Sequence, residues 1–403
     1  MATLAIDDIG DRPAIRLVPG RHKRMRAGHP WAFSNEIAMS REAKALPPGA
    51  VVRLEDSAGG PLGAAMFNPR PLISARILSR DPDAAVDRDF LAARLSRALA
   101  LRERLYDTPY YRLAWSEADG LPGLVLDRYG DAAAAQINTA GMDRLAGALT
   151  EAIFEAIGLR SIVWRNDTAA RGLEGLPSGT AQAGAPVDAP VEIAENGVRF
   201  LVDLGQGQKT GWFYDHRENR ARVAALACDA DVLDAYSYLG GFGLQAAAAG
   251  ARSVLCLDRS EPALALGAEA ARLNGLAGAC AFQRGEVFAT LEAFARDGRS
   301  FDVVVCDPPA FVKSKKDLAT GLKGYRKLIR LAAACLRPGG FLFAASCSHH
   351  VDASQFAEAV RGALRGIGRS GRVLHRGGAG PDHPVHPFLP ESAYLKSALL
   401  QLD

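Results

Sequence analysis

Asp234-Ala235-Tyr236-Ser237-Tyr238-Leu239-Gly240-Gly241-Phe242-Gly243 is the stretch on which the fold of this chain turns. Residues 232–235 read as a strand, and the glycines after them let the backbone turn sharply and approach a ligand closely. Outward from there, strands read at 253–258, 281–284, 301–306 and 340–346, most of them separated by helical segments. That alternation predicts a parallel, doubly wound α/β sheet with its ligand crevice outside the carboxyl ends of the strands. Asp258 ends the second strand, where a carboxylate can accept both hydroxyls of a ribose. Gly241, Gly243 and Ala246 also satisfy the dinucleotide pattern with a final Ala. The turn therefore specifies a nucleoside-bearing cofactor without saying which.

Upstream the pattern differs. Residues 15–18, 51–54, 62–67 and 73–78 read as short β segments, with the turn cluster Ser57-Ala58-Gly59-Gly60-Pro61 between two of them, as in a small β-barrel. Helical spacing follows over 87–104, with Phe90, Leu91, Leu95 and Leu99 on one face. A middle region of about 108–190 mixes strands at 111–115, 124–127 and 133–137 with a helix near 141–157, and 172–190 reads as loop. Asn196-Gly197 between 191–193 and 198–202 is a strong two-residue hairpin signal.

Composition narrows the classes. At 403 residues the chain should divide into two or three domains. A hydrophobic content of 48% with 23% charged residues is that of a folded globular protein. The start lacks the pattern of a secretory signal, and no apolar run is long enough to span a bilayer, so a cytoplasmic location is expected. The six cysteines are scattered without the close pairs of a zinc or dithiol site, so no metal and reduced thiols are expected. Net charge is only +3, so its distribution matters more than its sum. Arg12, Arg16, Arg21, Lys23, Arg24 and Arg26 fall in a stretch without an acidic residue, followed by Trp31 and Phe33. Such a run is either a solvated face or a phosphate-contacting edge with stacking groups, as single-stranded RNA binding requires.

Two further motifs carry chemistry. Asp307-Pro308-Pro309 stops the fourth strand in a rigid turn, holding a carboxylate in the crevice where it can grip the polar edge of a base. The fifth strand ends in Ser346-Cys347-Ser348-His349-His350. If the fourth and fifth strands are neighbours, Asp307 and Cys347 face one crevice. Carbon 5 of cytosine is too weak a nucleophile to take a methyl group directly, and a thiolate adding at carbon 6 makes it enamine-like. Cys228, Cys256, Cys280 and Cys335 lie in apolar surroundings and read as small buried hydrophobes. Cys306, adjacent to Asp307 in the strand, should point to the opposite face.

Taken together, Asp307-Pro308-Pro309, Ser346-Cys347-Ser348 and the stretch Gln208-Lys209-Thr210-Gly211-Trp212-Phe213-Tyr214-Asp215-His216-Arg217 resemble the RlmI-type large-subunit rRNA (cytosine-5-)-methyltransferases. The resemblance spans nearly the whole chain. Gly20-Arg21-His22-Lys23 through His29-Pro30-Trp31-Ala32-Phe33-Ser34 is similar to that family's N-terminal PUA domain, and Asp119-Gly120-Leu121-Pro122-Gly123-Leu124 with Asp127-Arg128-Tyr129-Gly130 to its central domain. Asp382-His383-Pro384 and Tyr394-Leu395-Lys396 resemble its C-terminal segment.

The resemblance implies a PUA-like RNA-binding β-barrel over 1–85, a central α/β linking domain over 86–190 and a Rossmann-like methyltransferase domain over 191–403 with a terminal antiparallel hairpin. It implies S-adenosyl-L-methionine as donor, RNA (in particular rRNA) as partner, Cys347 as nucleophile with Asp307 beside it, and allows a homodimer. Lys209, Gly211, Phe213 and Arg217 match the segment that closes over the donor. With Asp234, Tyr236, Gly240, Gly241, Asp258, Asp307 and Pro308 they make up the expected donor site. Arg21, Lys23, Arg24, Arg26 and Trp31 are the expected RNA contacts. Two departures stand out. Gly285-Glu286 follows the third strand where the family often has an Asp for the adenine amino group, and Glu286 is expected to take that role. Ala310 follows Pro309 where many RNA cytosine methyltransferases carry a further Cys, so removal of the carbon-5 proton falls to Asp307, a histidine such as His349, or water. The rival readings are an amino-group or uracil-carbon-5 methyltransferase, an NAD-dependent oxidoreductase on the same fold, and a non-catalytic RNA-binding protein.

Overall fold

The computed structural model describes residues 12–187 and 190–403. The chain forms two compact units. One gathers Met1–Ala189, Leu204–Trp212 and Pro381–Ser392; the other gathers Pro190–Asp203, Phe213–Gly380 and Ala393–Asp403.

The second unit is built on a seven-stranded sheet. Its strands are β1 (Asp231–Ala235), β2 (Ser253–Asp258), β3 (Cys280–Arg284), β4 (Phe301–Cys306), β5 (Leu336–Ser346), β6 (Gly371–Gly377) and β7 (Lys396–Leu402). Their order is β3-β2-β1-β4-β5-β7-β6. Strands β1 to β5 run parallel, and β7 enters antiparallel between β5 and β6. The order reverses at β1, so the crevice opens between the ends of β1 and β4, where such sheets hold ligands. The helices are α1 (Arg217–Ala224), α2 (Gly241–Ala248), α3 (Glu261–Leu273), α4 (Val287–Arg296), α5 (Leu318–Ala334) and α6 (Ala353–Arg365).

The central parallel strands β1, β2 and β4 are largely apolar and buried, as strands covered on both faces must be, whereas the edge strand β3 is not. Leu233, Leu257, Val304 and Leu342 from the sheet pack with Leu291, Leu328, Ile329 and Phe356 from the helices. Each such side chain contributes roughly 1.5–3 kcal/mol on leaving water. Capping starts the helices on time. Ser260 accepts from the Ala263 N–H at the head of α3, and Asp352 forms a reciprocal box with Gln355 at the head of α6. The hairpin Val191–Glu195 with Val198–Val202 turns through Asn196 at φ 51° and Gly197 at φ 81°, the two positive angles its tight turn demands.

The first unit holds two five-stranded sheets. In the N-terminal one, Ala14–Arg16, Ala50–Glu55, Pro61–Phe67, Ile73–Ser79 and Trp31–Phe33 pair in that order. A bridge from Leu17 to Ile37, with Val18 N–H to Glu36 O at 2.9 Å and Ala38 N–H to Arg16 O at 2.8 Å, joins the two edges and closes the barrel. Its interior is filled by Leu17, Met25, Leu54 and Phe67. The other sheet runs Gly179–Gly184, Ser161–Asn166, Ala132–Ile137, Leu124–Tyr129 and Tyr110–Trp115, backed by helices Arg88–Leu105 and Ala146–Ile157. Val51, Met66 and Leu78 of the barrel share its core.

Several local expectations change. The region read as loop over 172–190 contains the end of helix Ala169–Glu174 and the edge strand Gly179–Gly184. Helical spacing near 141–157 resolves into two helices, Ala140–Arg144 and Ala146–Ile157, broken at Leu145. Cys256 and Cys335 are buried as expected, but Cys280 is half-buried and Cys228 is exposed, because Cys228 lies in the turn before β1 rather than inside an element. Among the described residues no helix is long and apolar enough to cross a membrane, and no group of three or more His, Cys, Asp or Glu side chains is placed to hold a metal ion.

Candidate active site

The loop after β1 is wound by left-handed residues. Tyr236 at φ 63°, Tyr238 at φ 52° and Gly240 at φ 76° turn the chain before α2 starts at Gly241. For the two tyrosines this is costly backbone, of a kind that collects at ligand sites. Within the loop Ser237 is buried and its hydroxyl has no hydrogen-bond partner. A buried hydroxyl left unpaired is destabilising unless something polar meets it.

Two carboxylates hold the loop from below. Asp258 at the end of β2 accepts from the Tyr238 N–H at 2.9 Å and from the Ser260 N–H at 2.8 Å. Asp234 at the end of β1 accepts from the Gly243 N–H at 2.8 Å. Burial pushes the Asp234 carboxyl up to about 7, and the neighbouring carboxylates of Asp307 and Asp258 add to the rise. Burial likewise raises the Tyr236 hydroxyl, with Cys306, Glu286 and Asp258 contributing. Tyr236, Asp258 and Glu286 therefore lie within electrostatic reach of one another. Glu286 also has a structural task, since its carboxylate accepts from the Ala289 N–H at 2.9 Å and caps α4. Phe213 meets the Tyr238 ring edge-on, with centroids 5.5 Å apart.

Strands β4 and β5 are hydrogen-bonded neighbours, with Cys306 opposite Ala344. Asp307 and Cys347 consequently leave the sheet from adjacent strand ends. Their loops are tied together: the Val312 N–H donates to Ser348 Oγ at 3.2 Å, and the Tyr325 hydroxyl of α5 lies 2.9 Å from the same oxygen. Pro308 is buried and Asp307 is partly open, its side chain 25% exposed. Cys347 is half-buried, neither sealed in the core nor projecting into solvent. Cys306 faces away into the interior, where burial raises its thiol far above the usual range.

His216 stands against Asp307, with Nε2 3.2 Å from Oδ1. The Asn219 amide is fixed by donating to Gly378 O at 3.1 Å and accepting from Ser397 Oγ at 3.3 Å, so its nitrogen donates to His216 Nδ1 at 3.2 Å. That leaves the ring proton on Nε2, donated to Asp307. Burial alone would lower the basicity of this imidazole; the Asp307 and Asp215 carboxylates outweigh it and raise the pKa. The Tyr394 hydroxyl donates to Asp215, and the exposed His349 stacks on the Tyr394 ring at 5.4 Å.

Arg217 is buried at the head of α1, its Nε 3.9 Å from Glu195, which also binds Arg220 at 2.7 Å. Lys209, exposed at φ 52°, and Gly211, at φ 110°, belong to the Leu204–Trp212 segment of the first unit. In the barrel, Arg21 and Lys23 are exposed. Arg24 pairs with Glu36 at 2.7 Å and Arg26 with Asp56 at 2.7 Å. The Trp31 indole donates to Glu117 at 2.7 Å, with the Arg76 guanidinium 5.3 Å from its ring centre. His216 lies inside the motif over 208–217, and nothing local in the sequence foretells its partner 91 positions away at Asp307.

Residues 167–364 match the S-adenosylmethionine-dependent methyltransferase family, and residues 15–80 match the PUA-like domain. Over 95% of its length the chain is 36% identical to the ribosomal RNA large subunit methyltransferase I of Aliivibrio fischeri, covering 98% of that protein. It is 37% identical to the protein of the same name from Aeromonas salmonicida, over 96% of this chain and 98% of the relative. Among solved structures, a Streptococcus mutans chain assigned as a SAM-dependent methyltransferase superposes with a TM-score of 0.82 at 21% identity, covering 96% of this chain and all of the other. A further methyltransferase structure, complexed with S-adenosylhomocysteine, gives a TM-score of 0.82 at 20% identity over 97% of this chain and 99% of its own. At these identities the structures speak for the fold. The donor is S-adenosyl-L-methionine, and the turn after β1 fits it: the left-handed backbone, the unpaired Ser237 hydroxyl and the strand-end Asp258 are what a nucleoside-bearing ligand requires.

Proposed function

The chain belongs to the family of the ribosomal RNA large subunit methyltransferase I proteins, and from that premise we propose that it methylates carbon 5 of a cytosine in large-subunit ribosomal RNA, with Cys347 as nucleophile. The observation that carries this reading is the pairing of β4 with β5, which sends Asp307 and a half-buried thiol out of adjacent strand ends into one tied pair of loops.

The donor would be held by the loop from Tyr236 to Gly241, by Asp258 and by Phe213, with Asp234 keeping the turn in shape through Gly243. When bound, S-adenosyl-L-methionine supplies an electrophilic methyl group on a sulfonium centre. The chain's own residues prepare the base to receive it. The target cytosine must leave its stack to reach a crevice at the end of a sheet. His216 donates its Nε2 proton to Asp307 Oδ1, which fixes that carboxyl and leaves Oδ2 for the pyrimidine edge around N3. A proton shared there offsets the charge that builds on the ring as the Cys347 sulfur adds to carbon 6. The pair from the 5,6 double bond then becomes available at carbon 5. After transfer, Asp307, His349 or water takes the carbon-5 proton; the C–H pair returns to the ring and expels the thiolate. The exposed Arg21 and Lys23 of the PUA-like barrel would take the RNA backbone. Arg24, Arg26 and Trp31, each with a partner inside the barrel unit, would shape that surface.

Cys347→Ala is expected to abolish methyl transfer to ribosomal RNA, by at least about a thousandfold, while binding S-adenosylhomocysteine like the parent. RNA carrying 5-azacytosine should be trapped covalently on the parent protein and not on the variant. Comparable transfer by Cys347→Ala would overturn the nucleophile. Mass mapping of the methylated nucleotide, yielding anything other than 5-methylcytosine, would overturn the choice of base.

A further inference from the structure

Lys396 is the first residue of β7 and pairs with Ser346, the residue before Cys347. It is a lysine inside the protein, with 8% of its surface exposed. Its Nζ donates to Ser348 O at 2.6 Å and to Tyr394 O at 2.7 Å. Among the described residues no carboxylate lies within ion-pairing distance of it, whereas the chain's other buried cations, such as Arg102, Arg112 and Arg220, each hold one. An ammonium taken out of water without a counter-charge is expensive, by several kcal/mol. Both carbonyls that hold it are neutral, and one belongs to the residue directly after Cys347. Of the groups in that loop that can carry a negative charge, Lys396 interacts most strongly with the Cys347 thiol, and Asp352 is a lesser contributor.

We propose that Lys396 is the positioning residue of the nucleophile: anchored on the Ser348 carbonyl, its ammonium holds the loop of Cys347 and favours the thiolate over the thiol. This rests on the reading of Cys347 as nucleophile and adds how a cysteine becomes reactive near neutral pH. The thiol proton leaves to solvent. The sulfur lone pair makes the bond to carbon 6 and is recovered when that bond breaks, and Lys396 stays charged throughout. Tyr325 of α5 lies in the field of the thiol as a neutral phenol with a raised pKa, chiefly through burial. His349 and His350 are exposed on the same loop, and Asp352 caps α6. Burial pushes Lys396 down to about 8, and Cys347 and Asp352 pull it back up, as expected if ammonium and thiolate support one another.

The test is the pH dependence of Cys347 alkylation by iodoacetamide on the full-length protein, read by mass spectrometry of the Cys347 peptide. The exposed Cys228 serves as the internal reference. In the parent, Cys347 should reach half-maximal alkylation at lower pH than Cys228. In Lys396→Met its profile should move up by about one pH unit, a fall of about tenfold in thiolate at pH 7, with Cys228 unmoved. Methyl transfer at pH 7 should fall in the same ratio and recover by pH 9, and Lys396→Arg should retain the parental profile. A Lys396→Met profile that superimposes on the parent, in protein that binds S-adenosylhomocysteine normally, overturns the proposal. So does a parental Cys347 that titrates no lower than Cys228, a result that needs no variant to fold. If Cys347→Ala retains transfer, the nucleophile falls instead, and the alkylation profiles still decide whether Lys396 tunes the thiol.

Discussion

Burial lifts the Asp234 carboxyl to about 7 from its ordinary 3.8, although the Gly243 N–H donates to it. Folded chains thus hold this proton through a range in which unfolded chains have lost it. The resulting stabilisation is complete below 3.8 and disappears as pH climbs through about 7. Across that window the loss amounts to about 4 kcal/mol at most, by the linkage between pKa and folding. Asp234→Asn keeps an acceptor for Gly243 and removes the titration. Urea unfolding at pH 5 and pH 8 should show a flatter dependence in the variant, which becomes the more stable protein at pH 8. Equal slopes in the two proteins would mean that the carboxyl is not the group responsible. Asp234, Asp258, Asp307 and Cys347 were legible because each ends a recognisable strand, where the fold alone dictates what it faces. His216 and Lys396 were not, since their meaning comes from Asp307 and from the Ser348 carbonyl, brought near only by the pairing of distant strands and loops.

Helix α2 meets the sheet through glycine. A Cβ on Gly243 would lie 2.6 Å from Cys256 Sγ of β2 and 3.0 Å from Val254 Cγ1, closer than buried atoms tolerate. The glycine of the turn that needs left-handed backbone is Gly240, whereas Gly243 is required for the approach of helix to strand. Gly243→Ala is expected to cost about 1–3 kcal/mol through overpacking. Adding Cys256→Ala removes the nearer clash, so the double variant should lose less than the two single losses added together. Strict additivity in urea unfolding would place the cost elsewhere. Elements with a clear apolar pattern were readable at this scale: Arg88–Leu105 through the apolar residues of one face, and the parallel strands β2 and β4 through continuous apolar runs buried on both faces. Gly179–Gly184 was not. It is an edge strand of small and polar residues, mostly exposed, held by its pairing with Ser161–Asn166 and not by any apolar face of its own. β6, another largely exposed edge strand, was expected only through the terminal antiparallel hairpin that the family resemblance implies.

At the scale of the whole molecule, the chain leaves and re-enters each unit more than once, so neither is a continuous stretch of sequence. The expected boundary at 190 rests on the family resemblance, and nothing in the sequence could show that Pro381–Ser392 returns to the first unit. That return is fastened by Asp382. Its backbone carbonyl accepts from Arg102 at 2.8 Å, and its buried carboxylate accepts from the Arg112 N–H at 3.0 Å and contacts His383 Nδ1 at 2.8 Å. Asp382→Ala strands the Arg112 N–H in the interior and should cost about 2–3 kcal/mol. In a unit of some two hundred residues that lowers the unfolding midpoint by roughly 5–10 °C. All four tryptophans, Trp31, Trp115, Trp164 and Trp212, lie in this unit. Tryptophan fluorescence therefore reports its unfolding selectively, and binding of S-adenosylhomocysteine to the proposed site at residues 236–241, Asp258 and Phe213 would report the other unit. Asp382→Ala should lower the fluorescence midpoint while leaving binding of S-adenosylhomocysteine intact at 25 °C. Asp352→Ala, which uncaps α6 in the second unit, should leave the fluorescence midpoint in place. If both substitutions moved the fluorescence midpoint alike, the units would unfold as one cooperative body, and the segment 381–392 would matter to the whole chain equally.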